Sequence, residues 1–189
     1  MPRSTYMVGV ALLLLAVAVG LVHKPSQSEK ASDLRGVLQE MTSDIESCAG
    51  GVTESLQALQ LVQSGADASA TDVSQAVTIA QQGAANCSPA NNEEVDDLEN
   101  AQVPESLDSY RLAGAVTGLV AWAAPDAERV QTDVANVLSA SSPQARSQAQ
   151  AQLTAAEAAL SRQGAMVNRL VDAAMRSLGV HAGWLKLPS

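Results

Sequence analysis

The stretch CAGGVTESLQALQLVQSGADASATDVSQAVTIAQQGAANC, running from Cys48 to Cys87, decides how this chain folds. Its first and last residues are the two cysteines of the sequence, placed symmetrically about position 67.5. Gly65-Ala66-Asp67-Ala68-Ser69-Ala70, small and polar, is centred on that same point and has the residue types that end a helix and form a turn. Helices on either side of it bring both sulfurs to one height on an antiparallel hairpin, so a Cys48–Cys87 disulfide is expected. The alternative is a pair of reduced thiols acting as small buried hydrophobes.

The flanking periodicity agrees. Leu34, Leu38, Met41, Ile45, Cys48, Val52, Leu56 and Leu59 recur in steps of three and four, the mark of one helix face. Asp72 opens a second run whose face is Val73, Val77, Ala80, Ala84 and Cys87. Positions that sum to 135 then lie opposite one another, setting Val62 against Val73, Leu59 against Ala76 and Leu56 against Ile79. Gly50-Gly51 works against this hairpin. Two glycines inside a helix cost roughly 2 kcal/mol relative to alanine, enough to kink the helix just after Cys48 or to end it.

Outward from the hairpin, composition points to an all-α chain. The 189 residues contain no Phe and only 2% aromatic residues, while Ala, Gln and Ser are abundant. Strands prefer β-branched and aromatic side chains, whereas helices accept Ala, Leu, Gln and Glu readily. An Ala-rich interior buries little area per residue and relies on close helix approach, so a covalent staple is useful to it.

The net charge of −9 is unevenly spread. From Gly36 to Tyr110 there is no Lys or Arg but there are 13 Asp and Glu. Residues 29–108 sum to −13 and residues 109–189 to +2. Such a first half repels phosphate backbones, and the second half has no dense basic stripe, so nucleic-acid binding is excluded. The acids either keep the protein soluble or attract a basic partner or cations.

Arg3 precedes an apolar run from Tyr6 to Val22, followed by His23-Lys24-Pro25. Seventeen helical residues extend about 25 Å, slightly less than a hydrocarbon core of about 30 Å. Residues 1–24 are therefore expected to be a membrane anchor or a signal peptide cleaved after Ala18 or Gly20. Residues 25–189, beyond a polar linker at Pro25 to Ser28, form an extracytoplasmic domain in which a disulfide persists. Homo-oligomers are compatible with this arrangement.

Pro89 to Pro104 reads as a loop carrying Glu93, Glu94, Asp96, Asp97 and Glu99. Its spacing fails the Ca²⁺-loop template, with no Gly at the turn and no Glu at the twelfth position. These acids and Trp184 in the C-terminal tail are the candidate partner contacts. The plainer expectation for the tail is that Trp184 and Leu185 cap the open end of the domain. A third helix is expected from Ser106, interrupted or kinked at Pro125, with Leu112, Val116, Leu119, Val120, Val130, Val134, Val137 and Leu138 inward. Gly114 and Gly118, four residues apart, fit a close helix–helix contact inside the protein or, alternatively, in a homodimer. Ser142-Pro143 opens the last helix and Gly179 stops it, with Leu153, Ala156, Leu160, Gly164, Val167, Val171, Ala174 and Leu178 on its inner face.

Catalytic constellations are poorly supported. The two histidines, His23 and His181, sit near opposite ends of the chain, and no Gly-rich phosphate loop or Gly-x-Ser-x-Gly is present. Nothing resembles Cys-x-x-Cys, so the cysteine pair is structural rather than redox-active. Asn86-Cys87-Ser88 matches a glycosylation sequon only formally, because its cysteine is committed to the bridge. The expectation is an antiparallel four-helix up-down bundle with a stapled first hairpin, no cofactor or metal, and a binding or scaffolding role toward a protein or cell-envelope partner. A small-molecule-binding sensory bundle with a separate transducer is the alternative.

Overall fold

The computed structural model describes residues 24–65, 68–181 and 184–188. The expected anchor or signal segment, Tyr6 to Val22, lies outside the described residues. Every regular element within them is helical. No described helix is long and apolar enough to cross a membrane.

Helix α1 spans Gln27–Ser64, 38 residues without interruption, so Gly50-Gly51 does not break it. It starts two residues inside the expected linker because Ser26 and Glu29 form a reciprocal capping box, each satisfying a backbone donor of the other's residue. Helix α2 covers Ala70–Cys87 and starts on an equivalent box between Ser69 and Asp72. Its buried residues are Ala76, Ala80, Gly83 and Cys87. The buried stripe is thus rotated from the expected one: Val73, Val77 and Ala84 are only half-buried. The smallest side chains face the neighbours, which lets the helices approach.

The expected loop from Pro89 to Pro104 is a correction. Glu93–Asn100 forms a two-turn helix, α3, with Asn92 accepting from the Glu94 amide and acids filling the first turn. Acidic side chains at a helix N-terminus are favoured by its dipole, and Val95 and Leu98 give α3 an inward face. A 3₁₀ turn follows at Glu105–Tyr110. It is tied to the start of α1 by a hydrogen bond from Ser106 to Asp33 at 2.6 Å and by Lys30 over the Tyr110 ring.

Helix α4, Leu112–Ala121, begins after Arg111, whose left-handed backbone (φ 59°) redirects the chain. A wide turn at Trp122–Ala127 contains Pro125 and the extended residue Ala124, after which α5 runs from Glu128 to Ser139. Helix α6, Pro143–Leu178, has its predicted ends: Ser142 caps the start, Pro143 occupies the first turn, and Gly179 closes it at φ 62°. All eight residues expected on its inner face are buried.

Helix α1 packs on α2, α2 on α5, α5 on α6, and α6 on α4. The most voluminous fully buried side chain is Trp122, at the turn between α4 and α5. The C-terminal tail does not cap an open end. It returns along α6, with Trp184 and Leu187 buried and the Pro188 carbonyl against Gly164, well short of the helix end at Leu178.

Candidate functional site

The α1–α2 hairpin brings together most of the features that distinguish this chain. Cys48 and Cys87 are disulfide-bonded, with their Cα atoms 4.6 Å apart, and both are fully buried. One turn along each helix, Gly51 meets Gly83: a β-carbon on Gly51 would lie 2.9 Å from Gly83 Cα. A β-carbon on Gly83 would run into the Gln131 side chain, which enters from α5. Gln131 is fully buried, and its Nε2 donates to Cys87 Sγ at 2.9 Å and to Ala127 O at 3.4 Å. Ser55 Oγ lies 2.7 Å from Gly51 O and 3.2 Å from Gln131 Oε1, sharing its proton between the two acceptors. A buried amide is tolerable only when paired in this way. Gln131 therefore fastens α5 to the stapled pair.

Toward the tip of the hairpin the seam opens into a groove of about 580 Å³, lined by Ala58, Leu61, Val62, Ala76, Ile79 and neighbouring residues of both helices. Leu61 is 72% exposed, the one large hydrophobic side chain left in solvent among the described residues. Along α1, Glu40, Asp44, Ser47, Glu54, Ala58 and Leu61 fall at spacings of three, four and seven, on one stripe. Glu94 and Asp97 of α3 stand beside its acidic end, and Ser47 Oγ donates to Glu94 at 3.4 Å. Asp44 is pushed up to about 6, first by burial and then by the negative charges of Glu40, Asp97 and Glu94.

The candidate contact acids Glu93, Glu94, Asp96, Asp97 and Glu99 are all exposed, on a helix rather than a loop. Trp184 is placed differently from them, inside the fold. Its indole N–H donates to Asn168 Oδ1 at 3.0 Å, the same oxygen accepts the Leu187 amide at 3.2 Å, and Asn168 Nδ2 donates to Leu187 O at 3.0 Å. One side-chain amide thus holds the tail as a strand neighbour would. Gly114 and Gly118 part company. A β-carbon on Gly118 would lie 2.9 Å from Val167 Cγ2, marking a tight α4–α6 approach sealed by Gln163 donating to Gly118 O at 2.9 Å. Gly114 is exposed and meets only Leu170 at ordinary distance.

Among the described residues no three His, Cys, Asp or Glu side chains gather as a metal site. Gln131 and Asn168 escape sequence reasoning because a single amide inside an apolar stripe has no periodic signal. Leu61 escapes it because its neighbours Leu59 and Val62 carry the periodic signal of the seam, and the step to Leu61 does not. Compared with protein-family models, with curated proteins and with solved structures, the chain matches none.

Proposed function

We propose that this protein is a non-catalytic binding or scaffolding module outside the cytoplasm, whose stapled α1–α2 hairpin presents a docking face to a protein partner. The observation that carries this reading is Leu61, exposed at the rim of a groove while the other large apolar side chains among the described residues are buried or half-buried. The disulfide supports the compartment, since such bonds persist in oxidising surroundings. In this reading α1, α2 with α3, α4 with α5, and α6 are the four columns of an up-down bundle. Residues 6–22 anchor it to the membrane, or cleavage after Ala18 or Gly20 releases it.

The test is photo-crosslinking from position 61 in the native envelope fraction, compared with Thr154, exposed on α6. Position 61 is expected to give one adduct, identified by mass spectrometry and recovered in reciprocal pull-down, and position 154 none. Equal labelling from both positions, or none from 61, counts against it. The groove volume also suits a small ligand, as the sensory alternative requires. A thermal shift with a metabolite, in the absence of any adduct, would favour that alternative.

A further inference from the structure

We infer that the occupant of this face is an amphipathic helix of a partner protein, with apolar residues at one end and a Lys/Arg cluster at the other. The inference rests on the docking reading above and names the class of partner. Leu61 and Ala58 of α1 with Ile79 of α2 make one end of this face mainly apolar, with Asp72 and Gln75 also lining the groove. Glu40 and Asp44 of α1 with Glu94 and Asp97 of α3 make the other end acidic. No Lys or Arg occurs between Gly36 and Tyr110, so neither α1 over this length nor α2 nor α3 supplies a cation to this face. From Asp44 to Leu61 the helical rise is about 26 Å, which a partner helix of about 17 residues spans.

Other occupants fit less well. An anionic membrane surface or a nucleic acid meets the same repulsion that the acids exert on any phosphate. A second copy docking by this face would bring its own acidic stripe with it. A small molecule fills the groove but leaves the acidic end without a counterpart. A helix laid into an apolar groove, with its cations on a flanking acidic surface, satisfies both ends at once.

The experiment uses the full chain and fluorescein-labelled synthetic peptides of about 20 residues, long enough to span the stripe. Each carries Leu at i, i+3, i+4 and i+7 in one half and Lys on the same face of the other half, in both orders. Controls are a scrambled peptide of identical composition and one with every Lys replaced by Glu. Anisotropy is expected to show one amphipathic order binding roughly tenfold or more tighter than the scrambled peptide. That binding should weaken as salt rises from about 50 to about 300 mM.

Leu61→Glu is expected to weaken binding by roughly tenfold, although its added negative charge would strengthen a purely electrostatic attraction. Neutralising Glu40, Asp44, Glu94 and Asp97 together is expected to weaken binding and flatten its salt dependence. Circular dichroism checks that both variants remain folded, with Leu61, Glu40, Glu94 and Asp97 exposed and Asp44 half-buried. Equal binding of the scrambled peptide, tightening by Leu61→Glu, or equal binding of the Glu peptide overturns the assignment. If no peptide binds while position 61 still crosslinks to an identified protein, the basic-helix assignment falls and the docking face stands. If position 61 gives no adduct, both fall.

Discussion

Gly51 and Gly83 face each other across the α1–α2 seam, one turn from the Cys48–Cys87 bond, so closely that neither position has room for a methyl group. Gly50, the sequence neighbour of Gly51, points away from the seam, and a β-carbon there would meet nothing within 4 Å. The two glycines of the doublet thus have opposite roles. Gly50→Ala is expected to stabilise the protein by about 0.5–1 kcal/mol, the helical advantage of alanine. Gly51→Ala and Gly83→Ala are expected to destabilise it by about 1–3 kcal/mol through overpacking, with Gly83→Ala the worse because it displaces Gln131. Urea denaturation of the three variants checks the ordering.

The disulfide closes a segment with a sequence separation of 39. A loop of that size corresponds to about 4 kcal/mol of lost chain entropy in the unfolded state, less any cost of fitting the bond. The Cys48→Ala/Cys87→Ala double variant is expected to lose about 2–4 kcal/mol and to leave the Gln131 amide without its sulfur partner. Thermal denaturation of the double variant against the parent measures it.

Burial and the neighbouring Glu40, Asp97 and Glu94 raise Asp44 from 3.8 to about 6. Between those values the folded protein holds a proton that the unfolded chain releases. The stability linked to this group is complete below about pH 4 and is lost as pH rises through about 6. Asp44→Asn removes that loss. The variant is expected to exceed the parent by about 1 kcal/mol near neutral pH, a figure discounted for the solvent that still reaches the carboxylate. Asp126 and Glu157 are also raised, chiefly by burial, so the measurement is the difference between variant and parent in urea midpoints across the acid range.

Asn168 holds the tail through three hydrogen bonds to Trp184 and Leu187. Asn168→Ala is expected to cost about 2–3 kcal/mol in tail docking and to release Trp184 into solvent, because each bond contributes about 1 kcal/mol net. A red shift of tryptophan fluorescence should accompany faster amide exchange at Leu187. Trp122 stays buried at the α4–α5 turn and supplies the unshifted remainder.

Much of this framework is legible in the residues. Ser142-Pro143 and Gly179 delimit α6 because capping chemistry is local, and its inner face follows from period alone. The Cys48–Cys87 pairing follows from symmetry about the turn. The α2 face is misread because valine dominates a hydrophobicity pattern, whereas close packing selects Ala76, Ala80 and Gly83. Helix α3 is hidden by its acids, which suit a helix N-terminus as well as they suit a solvated loop. Gln131 and Asn168 are invisible because their partners come from other elements, and Leu61 because exposure is a property of the packed fold.

The most direct test of a stapled hairpin outside the cytoplasm is intact mass on protein taken from the native envelope fraction, alkylated with and without prior reduction. Without reductant the mass should show no alkylated cysteine, and with reductant it should show two, Cys48 and Cys87. The same spectrum reports whether residues 6–22 are retained or removed. Two alkylated thiols without reductant, in correctly exported protein, would contradict the staple and with it the extracytoplasmic reading.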